Sequence, residues 1–249
     1  MAKRLFGLIG QSLSHSFSKD YFTEKFLVEN IDAEYQNFEL PNLEHFKEFI
    51  LDNSTLFGLN VTIPYKEKII PYLNEVNNEA ASIGAVNCIK IDSRSNRLIG
   101  FNTDVFGFSQ SIKPFLESGH TKALILGKGG ASKAVIYVLK NLGIDCFFAV
   151  REKQQNSTNT FLYEELNADI IAQIPLIVNT TPLGTFPNIN AIPPIPTSSL
   201  CSKHFVIDLI YNPAETLLLK MAREQGACTL NGLSMLKIQA EKSWEIWQG

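Results

Sequence analysis

The stretch at 122–150 constrains the fold of this chain more than any other. KALILG at 122–127 is a short apolar run that feeds straight into KGGAS. A helix pattern follows to about residue 142, and CFFAV at 146–150 supplies a second apolar run. A strand, a glycine turn, a helix and a strand within about 30 residues is the size of a βαβ unit, which commits this part of the chain to parallel strands. Gly127, Gly129 and Gly130 occupy the turn. Glycine there lets the backbone bend tightly and approach a pyrophosphate, while the unpaired N–H groups at the helix start face the anion. Ala131 or Ser132 is small enough for the helix to pack closely on the strand. A glycine trio alone is an ordinary tight turn; the strand before it and the helix after it favour a dinucleotide site. The residue closing the second strand selects the cofactor, since an acid there accepts from a ribose 2′-OH. Here the order is Val150, Arg151, Glu152, Lys153. Two cations and no acid at the strand end point to NADP, with Glu152 as the argument for NAD. Lys128, inside the turn, is either solvated or a phosphate contact.

The remainder reads as more α/β structure. RLFGLIG at 4–10 and FGLNVTI at 57–63 are strand-like runs, the second stopped by Pro64. Residues 17–30 carry Phe17, Tyr21, Phe22 and Phe26 at helical spacing, and 41–52 open on Pro41 with Leu43, Phe46, Phe49 and Ile50 on one face, as in an amphipathic helix. AVNCIKI at 85–91 and RLIGF at 97–101 flank the polar turn DSRSN and predict a hairpin. PLIVNTT at 175–181 and HFVIDLI at 204–210 are further strands, AETLLLKMAREQG at 214–226 is a helix stopped by Gly226, and 232–248 is a last helix with Trp244 and Trp247. The segment 186–199 is a loop. The expected architecture is two α/β domains with a boundary near 103–120.

Several function classes are excluded by the totals. The 249 residues are 45% hydrophobic and 19% charged, with a net charge of −3. That composition supports a buried core and offers no basic surface for nucleic acid. No apolar run is long enough for a membrane span or a secretion signal, so a cytoplasmic protein without membrane or nucleic-acid partners is expected. Cys88, Cys146, Cys201 and Cys228, like the four histidines, lack metal-ligand spacing.

Two segments hold more polar chemistry than strand edges need. NVTIPYK at 60–66 presents Asn60, Thr62 and Lys66; FNTDVFG at 101–107 opens a helix with Asn102, Thr103 and Asp104. Singly, Lys66 reads as a solvated lysine and Asp104 as a helix-start acid favoured by the dipole. Together they offer a proton donor and a carboxylate partner, as reduction of a carbonyl by hydride requires.

These segments resemble those of shikimate dehydrogenases, in order and from end to end. LSHSFS at 13–18 is similar to that family's HSxSP; NVTIPYK to its NVTxPxK; GAVN at 84–87 and NTD at 102–104 to its next blocks. GKGGASKA at 127–134 resembles its GAGGAxRA turn, NTTPLG at 179–184 its NxTxxG loop, IYNPAETLLL at 210–219 its YxPxxTxLL, and NGLSMLKIQA at 231–240 its GxxMLxxQ. The resemblance implies a substrate-binding α/β domain at 1–103, a Rossmann-type dinucleotide-binding domain at 104–231 and a C-terminal helix at 232–249 returning to the first domain. It implies NADPH-dependent reduction of 3-dehydroshikimate to shikimate, on the route to chorismate and aromatic amino acids, by a monomer or homodimer. Ser16 and Ser18 would bind the substrate carboxylate, and Asn60, Thr62, Asn87, Asp104 and Gln239 its ring hydroxyls. Lys66 and Asp104 would be the catalytic pair. Gly127, Gly129, Gly130, Ala131 and Ser132 would hold the pyrophosphate and Arg151 the 2′-phosphate, while Thr180, Tyr211 and Gly232 would line the nicotinamide and substrate end. The sequence departs from the family pattern at Lys19, Lys128, Val150 and Lys237. Helix capping is the alternative role for Ser16 and Ser18. The alternatives for the whole are an NAD-using quinate/shikimate dehydrogenase and a non-catalytic dinucleotide-binding protein.

Overall fold

The structure, a computed structural model, describes residues 3–13, 16–92, 95, 97–152 and 159–249. It separates into two compact units: the chain up to Asp104 together with Gln239–Gly249, and Val105–Ile238. The domain limits expected from sequence, 103/104 and 231/232, lie one and seven residues from these. Among the described residues no helix is long and apolar enough to cross a membrane, and no group of three or more His, Cys, Asp or Glu could hold a metal.

In the first unit the chain runs β1 (Arg4–Gly10), α1 (Phe17–Val28), β2 (Ala33–Glu39), α2 (Phe46–Asp52), β3 (Leu56–Val61), α3 (Tyr65–Lys68), β4 (Glu75–Val76), α4 (Asn78–Ile83), β5 (Cys88–Asp92) and β6 (Arg97–Phe101). The sheet order is β2-β1-β3-β5-β6-β4, with β1 parallel to both β2 and β3 and with β5 and β6 forming the predicted antiparallel hairpin. Ser93, Arg94 and Asn96 of its turn lie outside the described residues. Side chains alternate across the sheet, so β1 sends Phe6 and Leu8 to one core and Ile9 to the other. The helix predicted at 41–52 begins only at Phe46. The Asn42 side chain accepts the Glu44 N–H (2.9 Å) and so competes with helical pairing at the start of that stretch.

The second unit continues through α5 (Thr103–Ile112), whose first two residues belong to the first unit, then β7 (Lys122–Leu126), α6 (Gly130–Asn141), β8 (Asp145–Val150), β9 (Thr160–Leu162), α7 (Ala168–Ala172), β10 (Leu176–Asn179), β11 (Phe205–Asp208), α8 (Leu217–Glu224) and β12 (Cys228–Leu230). All its strands pair in parallel, in the order β12-β11-β10-β7-β8-β9. From β7 the chain adds strands first on one side and then returns to add them on the other. This is the doubly wound dinucleotide-binding order, and ligands bind where the order reverses, at the carboxyl ends of β7 and β10. The central strands β7, β10 and β11 are largely apolar and almost wholly buried, as burial on both faces requires. A final helix, α9 (Leu233–Gln248), starts in this unit and ends in the first. There Trp247 stacks on Phe6 at 5.0 Å between ring centres and donates its indole N–H to the Ile89 carbonyl (3.0 Å). Gly58 gives the indole its place, because a Cβ there would collide with the Trp247 ring.

Candidate active site

In the first unit, Lys66 lies on α3 just after Pro64, and Asp104 on the first turn of α5, where the helix dipole favours an anion. They are 38 positions apart in sequence and meet in an ion pair, Lys66 Nζ to Asp104 Oδ2, at 2.7 Å. The other carboxylate oxygen, Oδ1, accepts from Asn87 Nδ2 at 2.9 Å. The orientation of the Asn87 amide is fixed by chemistry: its Oδ1 accepts the Thr103 backbone N–H (2.6 Å), a donor that cannot reverse. Both oxygens of Asp104 are therefore held, and the Lys66 side chain is 20% exposed.

From Asn87 the hydrogen bonds continue. Gln239 Oε1 accepts from Asn87 Nδ2 (3.4 Å) and from Thr103 Oγ1 (3.3 Å). Ser243, fully buried one turn further along α9, donates to the Gln239 carbonyl (3.0 Å) and accepts from Asn60 Nδ2 (2.9 Å). Asn60 Oδ1 accepts from the Tyr35 hydroxyl (2.8 Å), and Ser18 lies beside that phenol. Burial pushes the Tyr35 phenol well above its ordinary range, so it remains a neutral donor. One polar chain thus joins Lys66, Asp104, Asn87, Gln239, Ser243, Asn60 and Tyr35, with Ser18 beside its last member. Thr62 is half-buried just past β3 with its N–H on the Ile9 carbonyl (3.0 Å). Ser16 stands apart: its hydroxyl accepts the Lys19 N–H (3.2 Å) as the N-cap of α1. Sequence reasoning missed Tyr35 and Ser243, which have no motif and become visible only once β2 and α9 are placed beside Asn60. Cys88 is buried in the same core, and desolvation pushes its thiol up to about 12, which leaves it inert as a nucleophile.

In the second unit the glycine turn lies at the predicted strand–helix junction. Gly127 has φ +90°, and a Cβ there would meet Thr181 Cγ2 at 2.8 Å, so both conformation and space demand glycine. Gly129 and Gly130 have nothing within 4 Å of where a Cβ would be, which leaves bare backbone at the start of α6. Ser132 is buried and donates to the Gly129 carbonyl (2.6 Å), tightening the turn, and Ala131 is half-buried beside it. Thr180 donates both its N–H (3.1 Å) and its hydroxyl (2.8 Å) to the Leu126 carbonyl, bringing the loop after β10 against the end of β7. Gly232 donates its N–H to the Ile210 carbonyl (3.0 Å), next to half-buried Tyr211, and a side chain at Gly232 would strike the Leu209 carbonyl. Arg151 and Glu152 follow β8 and are exposed; Lys153 lies outside the described residues.

Beneath these loops sits Asp208, fully buried and unremarked in the sequence. Its carboxyl accepts from Asn179 Nδ2 (3.0 Å), the Ile210 N–H (3.1 Å) and the Thr216 hydroxyl (2.7 Å). Asn179 in turn accepts from the Thr181 N–H (3.0 Å) and hydroxyl (2.7 Å). The loop after β10, the loop after β11 and the cap of α8 are thereby tied to one group. Burial pushes this carboxyl up to about 6, against the opposing pull of its three hydrogen bonds.

The chain is similar to known proteins over nearly all of its length. Residues 8–89 match the family model described as the shikimate dehydrogenase substrate binding domain. A shikimate dehydrogenase (NADP(+)) of Carboxydothermus hydrogenoformans is 41% identical, over 99% of this chain and 92% of its own length. The crystal structure of shikimate dehydrogenase from Aquifex aeolicus superposes with a TM-score of 0.87 at 34% identity, over 99% of this chain and 93% of that one. The Thermus thermophilus enzyme, solved with NADP(H) and shikimate, gives 0.85 at 28% identity, over 98% of this chain and 93% of its own.

Proposed function

This chain belongs to the shikimate dehydrogenase family, and on that premise we propose that it catalyses the NADPH-dependent, reversible reduction of 3-dehydroshikimate to shikimate. The observation that carries the reading is the Lys66–Asp104 ion pair, locked by Asn87. Reduction of a ketone needs a hydride at carbon and a proton at oxygen. NADPH supplies the hydride when bound. Lys66 holds the proton for the carbonyl oxygen, and Asp104 keeps the ammonium charged and aimed until that proton passes to the oxygen. The structure fits the cofactor in two respects: the sheet reverses order at β7 and β10, and bare glycine backbone opens α6 at that point. Gly127, Gly129, Gly130, Ala131 and Ser132 would hold the pyrophosphate and Arg151 the 2′-phosphate, with Thr180 and Gly232 at the nicotinamide end and Tyr211 serving the substrate.

The substrate is a carboxylated ring bearing hydroxyls. Ser18, beside Tyr35, donates to its anion, and Asn60, Thr62, Asn87, Asp104 and Gln239 serve its hydroxyls. Ser16 contributes mainly by capping α1, which positions Ser18 two residues later.

The test is oxidation of NADPH with 3-dehydroshikimate. Lys66→Ala should lower kcat by roughly 10²–10⁴-fold with KM for the ketone changed far less. Near-normal turnover in that variant would remove Lys66 from the mechanism. Oxidation of shikimate and of quinate, each with NADP and NAD, separates this reading from an NAD-using quinate/shikimate dehydrogenase.

A further inference from the structure

Strand β8 ends on Val150, whose side chain can neither accept from a ribose hydroxyl nor donate to a phosphate. Yet this strand end is where doubly wound folds read the adenosine ribose. Phe147 packs on the cluster containing Leu124, Leu126 and Ala149, so by strand alternation Phe148 and Val150 face the opposite side of the sheet. Lys128 leaves the glycine turn after β7, the strand directly paired with β8. Its ammonium reaches across and lies 5.3 Å from the centre of the Phe148 ring. That is cation–π distance, and the contact holds a long side chain in place before any ligand arrives. The cation is thus stationed on the face of the sheet that carries Val150, two residues from the end of β8.

From this placement we propose that Lys128 is a specificity-determining residue for the cofactor: it supplies, from the glycine turn, a cation for the 2′-phosphate of NADP that the end of β8 lacks. Arg151, exposed just past Val150, provides the other. A phosphate monoester carries close to two negative charges at neutral pH, so two cations match it. A nucleotide with a free 2′-hydroxyl gives Lys128 nothing to neutralise there. The inference rests on the NADPH-dependent reading above and assigns it a residue outside the glycines and Arg151.

The experiment compares Lys128→Met, which keeps the apolar stem over Phe148 and removes the charge, with Lys128→Arg and wild type. Two measurements are made on each at low ionic strength: kcat/KM with NADPH and NADH, and cofactor affinity by titrating nicotinamide fluorescence. Loss of a charge-assisted contact should weaken NADPH about tenfold to a hundredfold in Lys128→Met, leave NADH within about twofold, and be largely restored in Lys128→Arg. Equal losses for both cofactors would show that Lys128 touches the pyrophosphate, and no loss for either would show a solvated lysine; each overturns the proposal. A wild type that binds both cofactors but turns over neither would overturn the proposed activity, while the affinity ratios would still decide Lys128.

Discussion

Asp208→Asn should flatten part of the pH dependence of stability. The carboxyl is wholly buried, and desolvation raises it from an ordinary 3.8 to about 6 in the folded protein. Between those two values the native state holds a proton that the unfolded chain has released, so stability must fall as pH rises. The contribution is fully present below about pH 4, is lost through about pH 6, and is flat above. Two units of difference correspond to about 3 kcal/mol at most. The amide cannot ionise, and it keeps much of the geometry: its oxygen can still accept from Asn179 and Ile210, and its NH₂ faces a Thr216 hydroxyl that can rotate to accept. Urea unfolding of both proteins at pH 4, 5, 6, 7 and 8 gives the difference curve, in which the other carboxylates cancel. Relative to wild type, the variant should gain about 2–3 kcal/mol between pH 4 and pH 7, with the change centred between pH 4 and 6. Parallel curves, or a wild type that gains on the variant as pH rises, would refute the reasoning from burial.

The serine pair should divide by role. Ser16→Ala, which removes the cap, should cost about 1 kcal/mol of stability with a small change in KM, whereas Ser18→Ala should raise KM for shikimate by the equivalent of roughly 1–3 kcal/mol with little thermal effect. The glycines should divide as well. Gly232→Ala should destabilise by at least about 1–3 kcal/mol, since its Cβ meets the rigid Leu209 carbonyl, while Gly129→Ala should keep its melting temperature and raise KM for NADPH and NADH alike, because the space it fills is where a pyrophosphate would rest.

Where the chain has strong local signals, sequence and structure agree closely. RLFGLIG is β1 to the residue, and the strand–turn–helix–strand reading of 122–150 corresponds to β7, α6 and β8. β2 escaped notice because AEYQNFE shows neither clean alternation nor a continuous apolar run; it is a sheet edge, buried only at Tyr35. The order of strands about β7 is set by long-range pairing that no window of sequence contains. The same limit applied to the site. Lys66 and Asp104 could be named for their chemistry but not joined, and Tyr35, Ser243 and Asp208, a tyrosine on an edge strand, a serine within a helix and an acid closing a strand, have roles defined wholly by what folds against them.

Trp247 is filed into a slot made by residues near the other end of the chain: Phe6, Phe22 and the gap at Gly58. All of Val105–Ile238 lies between Gly58 and that indole. A ribosome adding about 5–20 residues per second therefore holds the finished β1–β3 surface uncovered for on the order of ten seconds, while a contiguous nucleotide-binding unit emerges and can close. Synthesis imposes an order on this molecule: the nested unit is able to fold first, and the unit begun first is completed last, its aromatic slot uncovered until the tryptophan arrives.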